Sequence, residues 1–158
     1  MTRFPFVLAA ALGLASVVAQ GPVAAQTGAS SVTAAAEAIF PNGTTFNGVP
    51  LSGLTVGQGI SIARDGSATG QFHAVLVGTS LLGSPQNVVV EGQVRAGSVA
   101  ADGSATVSGT ATVNMGDGTL PVPGVPFAAT VSTNSLALIL NATALPTATV
   151  SAGSITIE

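Results

Sequence analysis

The chain has no cysteine, tryptophan, tyrosine or lysine, and one histidine among its 158 residues. Without cysteine, neither a disulfide framework nor a thiolate zinc site can form. Without lysine there is no P-loop. Three arginines cannot neutralise many phosphates, so a nucleic-acid partner is not expected. Charged residues make up 6% of the chain, against about 25% in ordinary soluble domains, which argues against coiled coils and long charged helices. Phenylalanine is the only aromatic present, so carbohydrate stacking is poorly supplied.

The same scarcity empties the catalytic inventory. Any Ser-His-Asp triad would have to use His73, which alternation places on the polar face of a strand beside Gln71 and Val75. There is no Gly-x-Ser-x-Gly elbow. Gly57-Gln58-Gly59-Ile60 lacks the third glycine of a dinucleotide loop. Paired carboxylates can run glycoside hydrolysis, but Asp65, Asp102 and Asp117 each precede glycine and read as turn residues. No Asp-x-Asp pattern offers calcium a cluster of oxygens. The reading is therefore not an enzyme, with no catalytic, cofactor-binding or metal-binding residue nominated.

What is present begins with an address. Residues 1–25 read as a cleaved secretory signal peptide. Arg3 supplies the positive start, Phe6 to Ala19 the apolar run, and Val23-Ala24-Ala25 the small residues before the cut. Gln20, Gly21 and Pro22 end the run short of the roughly 20 residues of a spanning helix, and no later stretch is long enough for one. The expected location is secreted, periplasmic or cell-surface. The remainder carries Arg64 and Arg95 against Glu37, Asp65, Glu91, Asp102, Asp117 and Glu158, two cations against six anions. Such a surface is weakly repulsive toward copies of itself. The absence of lysine, whose codons are AT-rich, points to a GC-rich bacterial genome. The glycosylation sequons at Asn42 and Asn141 matter only in a eukaryotic host.

Residues 26–40 read as a flexible segment or a first strand, with Ala34-Ala35-Ala36-Glu37 also compatible with a helical turn. Residues 41–158 read as a single all-β domain. Asn42-Gly43, Asn47-Gly48, Asp65-Gly66, Asp102-Gly103 and Asp117-Gly118 are five Asx-Gly dipeptides, each suited to a type I′ hairpin turn. Period-2 alternation lies between them. Ala68, Gly70, Phe72, Ala74 and Leu76 share one face of a strand, and Ala105, Val107, Gly109, Ala111 and Val113 one face of another. Leu136 to Leu140 is apolar on both faces and reads as a central strand covered on both sides. A change of inward parity at Gly153 predicts a β-bulge. Asp65-Gly66-Ser67-Ala68-Thr69 recurs as Asp102-Gly103-Ser104-Ala105-Thr106, read as two turns converging on the same residues. Pro121, Pro123 and Pro126 mark 119–125 as an edge or crossover loop. The fold expected is a single antiparallel β-sandwich of eight or nine strands, the crossover being taken to break meander order; a closed up-and-down β-barrel is the alternative.

The run from Asp65 to Phe72 resembles the hairpin pattern of small meander barrels such as the avidins. The likeness covers about a dozen residues, and avidin-like proteins stack ligand on tryptophan, which this chain lacks. No function follows from it. Thr110-Ala111-Thr112 and Thr147-Ala148-Thr149 are Thr-x-Thr units of the type that builds ice-binding ranks, but such ranks need several units in register.

The expectation for function is a non-catalytic secreted or cell-surface β-domain acting in structural assembly or protein interaction. Its partner would be itself or another envelope or extracellular protein. The alternative is a small extracytoplasmic carrier holding an apolar small molecule in the β interior, motivated by the small inward residues Ala68, Gly70, Ala74, Gly109 and Ala111.

Overall fold

A computed structural model describes residues 29–158; the signal peptide expected over 1–25 lies outside them. The described chain is all-β and antiparallel. Eight long strands follow one another: β1 (Ser30–Ile39), β3 (Val49–Ile62), β4 (Ala68–Gly78), β5 (Val88–Val99), β6 (Ala105–Asn114), β7 (Val122–Ser132), β8 (Ser135–Leu140) and β10 (Ala148–Ile157). Two-residue strands β2 (Thr45–Phe46) and β9 (Thr143–Ala144) form small hairpins with β3 and β8. The stretch left open between strand and helical turn is thus β1. Among the described residues no helix is long and apolar enough to cross a membrane.

Each long strand pairs with its successor, and β1 pairs with both β3 and β10, so the ladders return on themselves. The return is uneven. β1 and β10 share eight residue pairs, whereas β10 and β8 share only Ala148↔Leu136 and Thr149↔Ser135. The body is therefore a sandwich-like wrap of one sheet, not a clean barrel. Meander order is kept through the proline segment, contrary to expectation. Val122 to Pro126 is already β7 and pairs with β6. An irregularity between Ala111 and Val113 accommodates Pro123-Gly124, where Gly124 has φ +72°.

Alternation decides which side chains enter the core, and it fills one cluster from every long strand. Phe72 of β4 stacks on Phe127 of β7, ring centroids 5.1 Å apart and 25° from parallel. Phe127 reaches over Gly92 of β5, where a Cβ would lie 2.7 Å from its ring. A large ring thus occupies the space that a small residue leaves. β8 is one-sided rather than covered on both faces: Leu136, Leu138 and Leu140 are buried, but Ile139 faces outward, 43% exposed. The bulge expected near Gly153 is present, with Ser151 the extra residue between Ala152↔Glu37 and Val150↔Ala38.

Two polar residues are buried among those described, Thr44, whose hydroxyl donates to the Pro41 carbonyl at 2.7 Å, and Gln58. Gln58 shares the inner face of β3 with Val56 and Ile60, and neither its Oε1 nor its Nε2 has a hydrogen-bond partner among the described residues. An unpaired buried amide costs about 1–3 kcal/mol. The nearly isosteric Gln58→Met is expected to raise the unfolding free energy by about that amount, read from the urea midpoint at unchanged slope. A lower midpoint would show that the amide is bonded in the folded state.

Candidate interaction surfaces

The ends of the wrap differ in chemistry. One end carries the turns after β3, β5 and β7 and the start of β1, with Arg64, Asp65, Asp102 and Glu158. The opposite end carries the loops after β4, β6 and β8. Among the described residues, seven of the eight exposed large hydrophobic ones belong to that second end. Ile39, Val77, Val122 and Ile139 lie in the terminal two residues of their strands there, and Leu81, Leu82 and Leu120 lie in the loops beyond. An apolar cleft of about 220 Å³ opens at the same end, lined by Phe46, Val113, Met115, Val122, Val125 and Leu140 among others. The sequon residues Asn42 and Asn141 are exposed at this end too.

A second surface follows from the uneven closure. Beyond the bond from Val150 N–H to Asn134 C=O, β10 runs past the tip of the β7–β8 hairpin with β1 as its single neighbour among the described residues. Ser151 to Ser154 are exposed on both faces. From Ala152 to Ile157 the strand is in regular register with β1, so about half of its N–H and C=O groups point to the open side. No charged residue or proline stands in Ala148–Ile157, and these are the usual guards of a free edge.

The residues weighed for chemistry fall elsewhere. His73 is exposed on the outer wall, opposite Glu91 in the β4–β5 register, with Gln71 opposite Gln93. Glu91 stands in turn opposite Thr112 of β6, and the β3 residue opposite His73 is Gly57. Among the described residues no cluster of three metal-ligating side chains occurs. The three Asp-Gly aspartates share one local geometry. Asp65 Oδ1 accepts from Ser67 N–H at 2.9 Å and Ser67 Oγ at 2.6 Å, and Asp102 and Asp117 accept likewise from Ser104 and Thr119. The hydroxyl bond, then the amide bond, holds each carboxyl below its ordinary 3.8. This corrects the turn type expected. Only Asn47-Gly48 has both residues at positive φ, 47° and 83°, as type I′ requires. The aspartates keep negative φ because their carboxylates already satisfy the turn from the side, leaving the left-handed position to the glycine alone. The five-residue echo is thus one Asx-turn solution used repeatedly. The two Thr-x-Thr units stand on β6 and next to β10, with β7 and β8 between them, so they form no rank.

Sequence reasoning missed both surfaces and Gln58. Gln58 was accessible by parity, since it shares a face with Val56 and Ile60. Leu81-Leu82 carried a signal as well: an apolar pair inside the turn-rich run Thr79-Ser80-Leu81-Leu82-Gly83-Ser84-Pro85. The open edge carried none, because it depends on which distant strands become neighbours. Comparison with protein families, curated proteins and solved structures found nothing that matches this chain.

Proposed function

We propose that the chain is a non-catalytic secreted or cell-surface β-domain that assembles with further copies of itself through the open edge of β10. The observation that carries this reading is the unguarded strand Ala152–Ile157, paired on one side only among the described residues. Strand addition satisfies the outward N–H and C=O groups of both partners. The low surface charge lets copies approach without strong repulsion.

Ser154→Lys with Thr156→Lys places two guards on exposed positions of this strand, leaving its buried Ile155 untouched. The wild-type chain is expected to show concentration-dependent oligomers by light scattering after size-exclusion chromatography. The double variant is expected to remain monomeric with an unchanged thermal midpoint. A wild type that stays monomeric at millimolar concentration, or a double variant that assembles equally well, would overturn the reading. A carrier of an apolar small molecule is the second reading, favoured by the cleft beneath Phe46 and Met115. It calls for a removable extra mass on the monomer in native mass spectrometry. Its volume falls below the roughly 300–1,000 Å³ of drug-sized sites, which restricts that ligand to a small one.

A further inference from the structure

We propose that the leucine-tipped end is a lipid-contact surface, at which Leu81, Leu82 and Leu120 enter the acyl region of an uncharged, zwitterionic bilayer. This surface is separate from the β10 edge, and the two stand independently.

The exposure is extreme: Leu81 is 92%, Leu82 94% and Leu120 89% accessible. Scattered exposed leucines are ordinary, whereas apolar residues gathered on one patch mark a contact site. Here the three belong to two loops that are tied to each other. Gln86 Nε2 donates to the Met115 carbonyl at 3.1 Å. At Gly116, φ is +66° and a Cβ would lie 2.3 Å from the Asn87 carbonyl oxygen, so glycine permits the close approach of the loops. The tips are also held from within. Ser80 N–H donates to the Ser84 carbonyl at 2.8 Å, Gly83 N–H to the Ser80 carbonyl at 2.9 Å, and Ser84 N–H to Ser80 Oγ at 3.1 Å. In the second loop Gly116 N–H donates to Asn114 Oδ1 at 3.0 Å, and Asp117 Oδ1 ties down Thr119. Two braced turns hold the leucines out, and Ile39, Val77, Val122 and Ile139 form a half-exposed apolar rim behind them.

Shape and charge choose the occupant. Leucines projecting from tight turns need no matching pocket when they enter fluid hydrocarbon, whereas a protein partner must supply one for them. Neither loop carries a cation, and the charged residue they do carry is Asp117, three positions from Leu120. The chain as a whole has a net charge of −3. An anionic lipid surface would repel this end, and a zwitterionic one would not.

The absence of tryptophan supplies the assay. Leu82→Trp introduces a single indole at the tip. With phosphatidylcholine vesicles, the protein purified from its native source, as wild type and as Leu82→Trp, is expected to float with the lipid, and the indole emission to shift to the blue. Adding Leu81→Ser and Leu120→Ser is expected to weaken partitioning on the order of tenfold or more for each leucine removed, since each surrenders the transfer of a buried side chain. Replacing part of the phosphatidylcholine with phosphatidylserine is expected to weaken binding further. Failure to float with either vesicle overturns the assignment. So does flotation that the serine variants retain, tighter binding to the anionic vesicles, or an oligomer in lipid-free solution that the serine substitutions abolish, which would make this end a protein contact.

Discussion

Phe127→Ala is expected to lower the unfolding free energy by about 3–5 kcal/mol, a large part of the roughly 5–15 kcal/mol available to a natural domain. The reason is particular to this core. Phe127 closes the distance between β7 and the facing wall of the wrap by stacking on Phe72 and covering Gly92. Phe127 is buried, 3% exposed, and its ring covers a residue without a side chain, so truncation leaves a void over Gly92. A second substitution makes the test sharper. In the wild type, Gly92→Ala would place a methyl 2.7 Å from the ring, an overpacking that costs about 1–3 kcal/mol. In the Phe127→Ala background the same methyl has room and fills part of the void. The double variant should therefore be more stable than the sum of the two single effects, by a coupling read from four urea titrations. Additive effects would mean that Phe127 does not occupy the space above Gly92.

Gly153→Ala is the other substitution with a large expected cost, on the order of 3 kcal/mol. Its φ is +81°, and the Cβ of any other residue would lie 2.1 Å from the Ala35 carbonyl oxygen of β1. Left-handed strain accounts for about 1–3 kcal/mol, and displacement of the β1 backbone for a similar amount. The position is sensitive because the β1–β10 ladder joins the ends of the sheet, while the β8–β10 contact contributes only two residue pairs. Loosening β10 from β1 leaves it almost unattached. Amide exchange should therefore speed up first in Ala152–Ile157 and in the facing residues of β1, with β5 and β6 slower to respond. Uniform acceleration across all strands would show that this ladder is not the weak part of the ring.

These effects are traceable to the chain to different depths. The alternation around Phe72 and around Val107 is local, so the inner faces of β4 and β6 were legible from residues alone, as was a bulge near Gly153, which the structure sets at Ser151. The prolines misled because their cost depends on where a missing N–H would have pointed. Pro123 falls at an irregularity of β7, a setting that the spacing of prolines does not reveal. Leu136–Leu140 misled for a related reason. Apolar residues on both faces suggest cover on both sides, yet among the described residues Ile139 is left 43% exposed, and the outward residue joins the apolar end instead. The aspartates were placed in turns, but the side-chain bonds that keep them out of the left-handed region depend on the serine or threonine two residues later. The open edge of β10 lies beyond local reading altogether. It follows from the shortness of β8 relative to β10, which matters only once β7 and β8 have come alongside.

The pairing of β1 with β10 also brings the chain's described beginning and end together: Ser31 N–H donates to the Glu158 carbonyl at 2.7 Å, and Glu158 N–H returns a bond to the Ser31 carbonyl at 3.0 Å. The β1–β10 ladder cannot form until the residues of β10 are available. It also makes the starting point of the polypeptide nearly arbitrary. A short linker joining residue 158 to residue 30 would permit new termini to be cut at the Thr133-Asn134 turn, next to the open strand, with every long ladder retained.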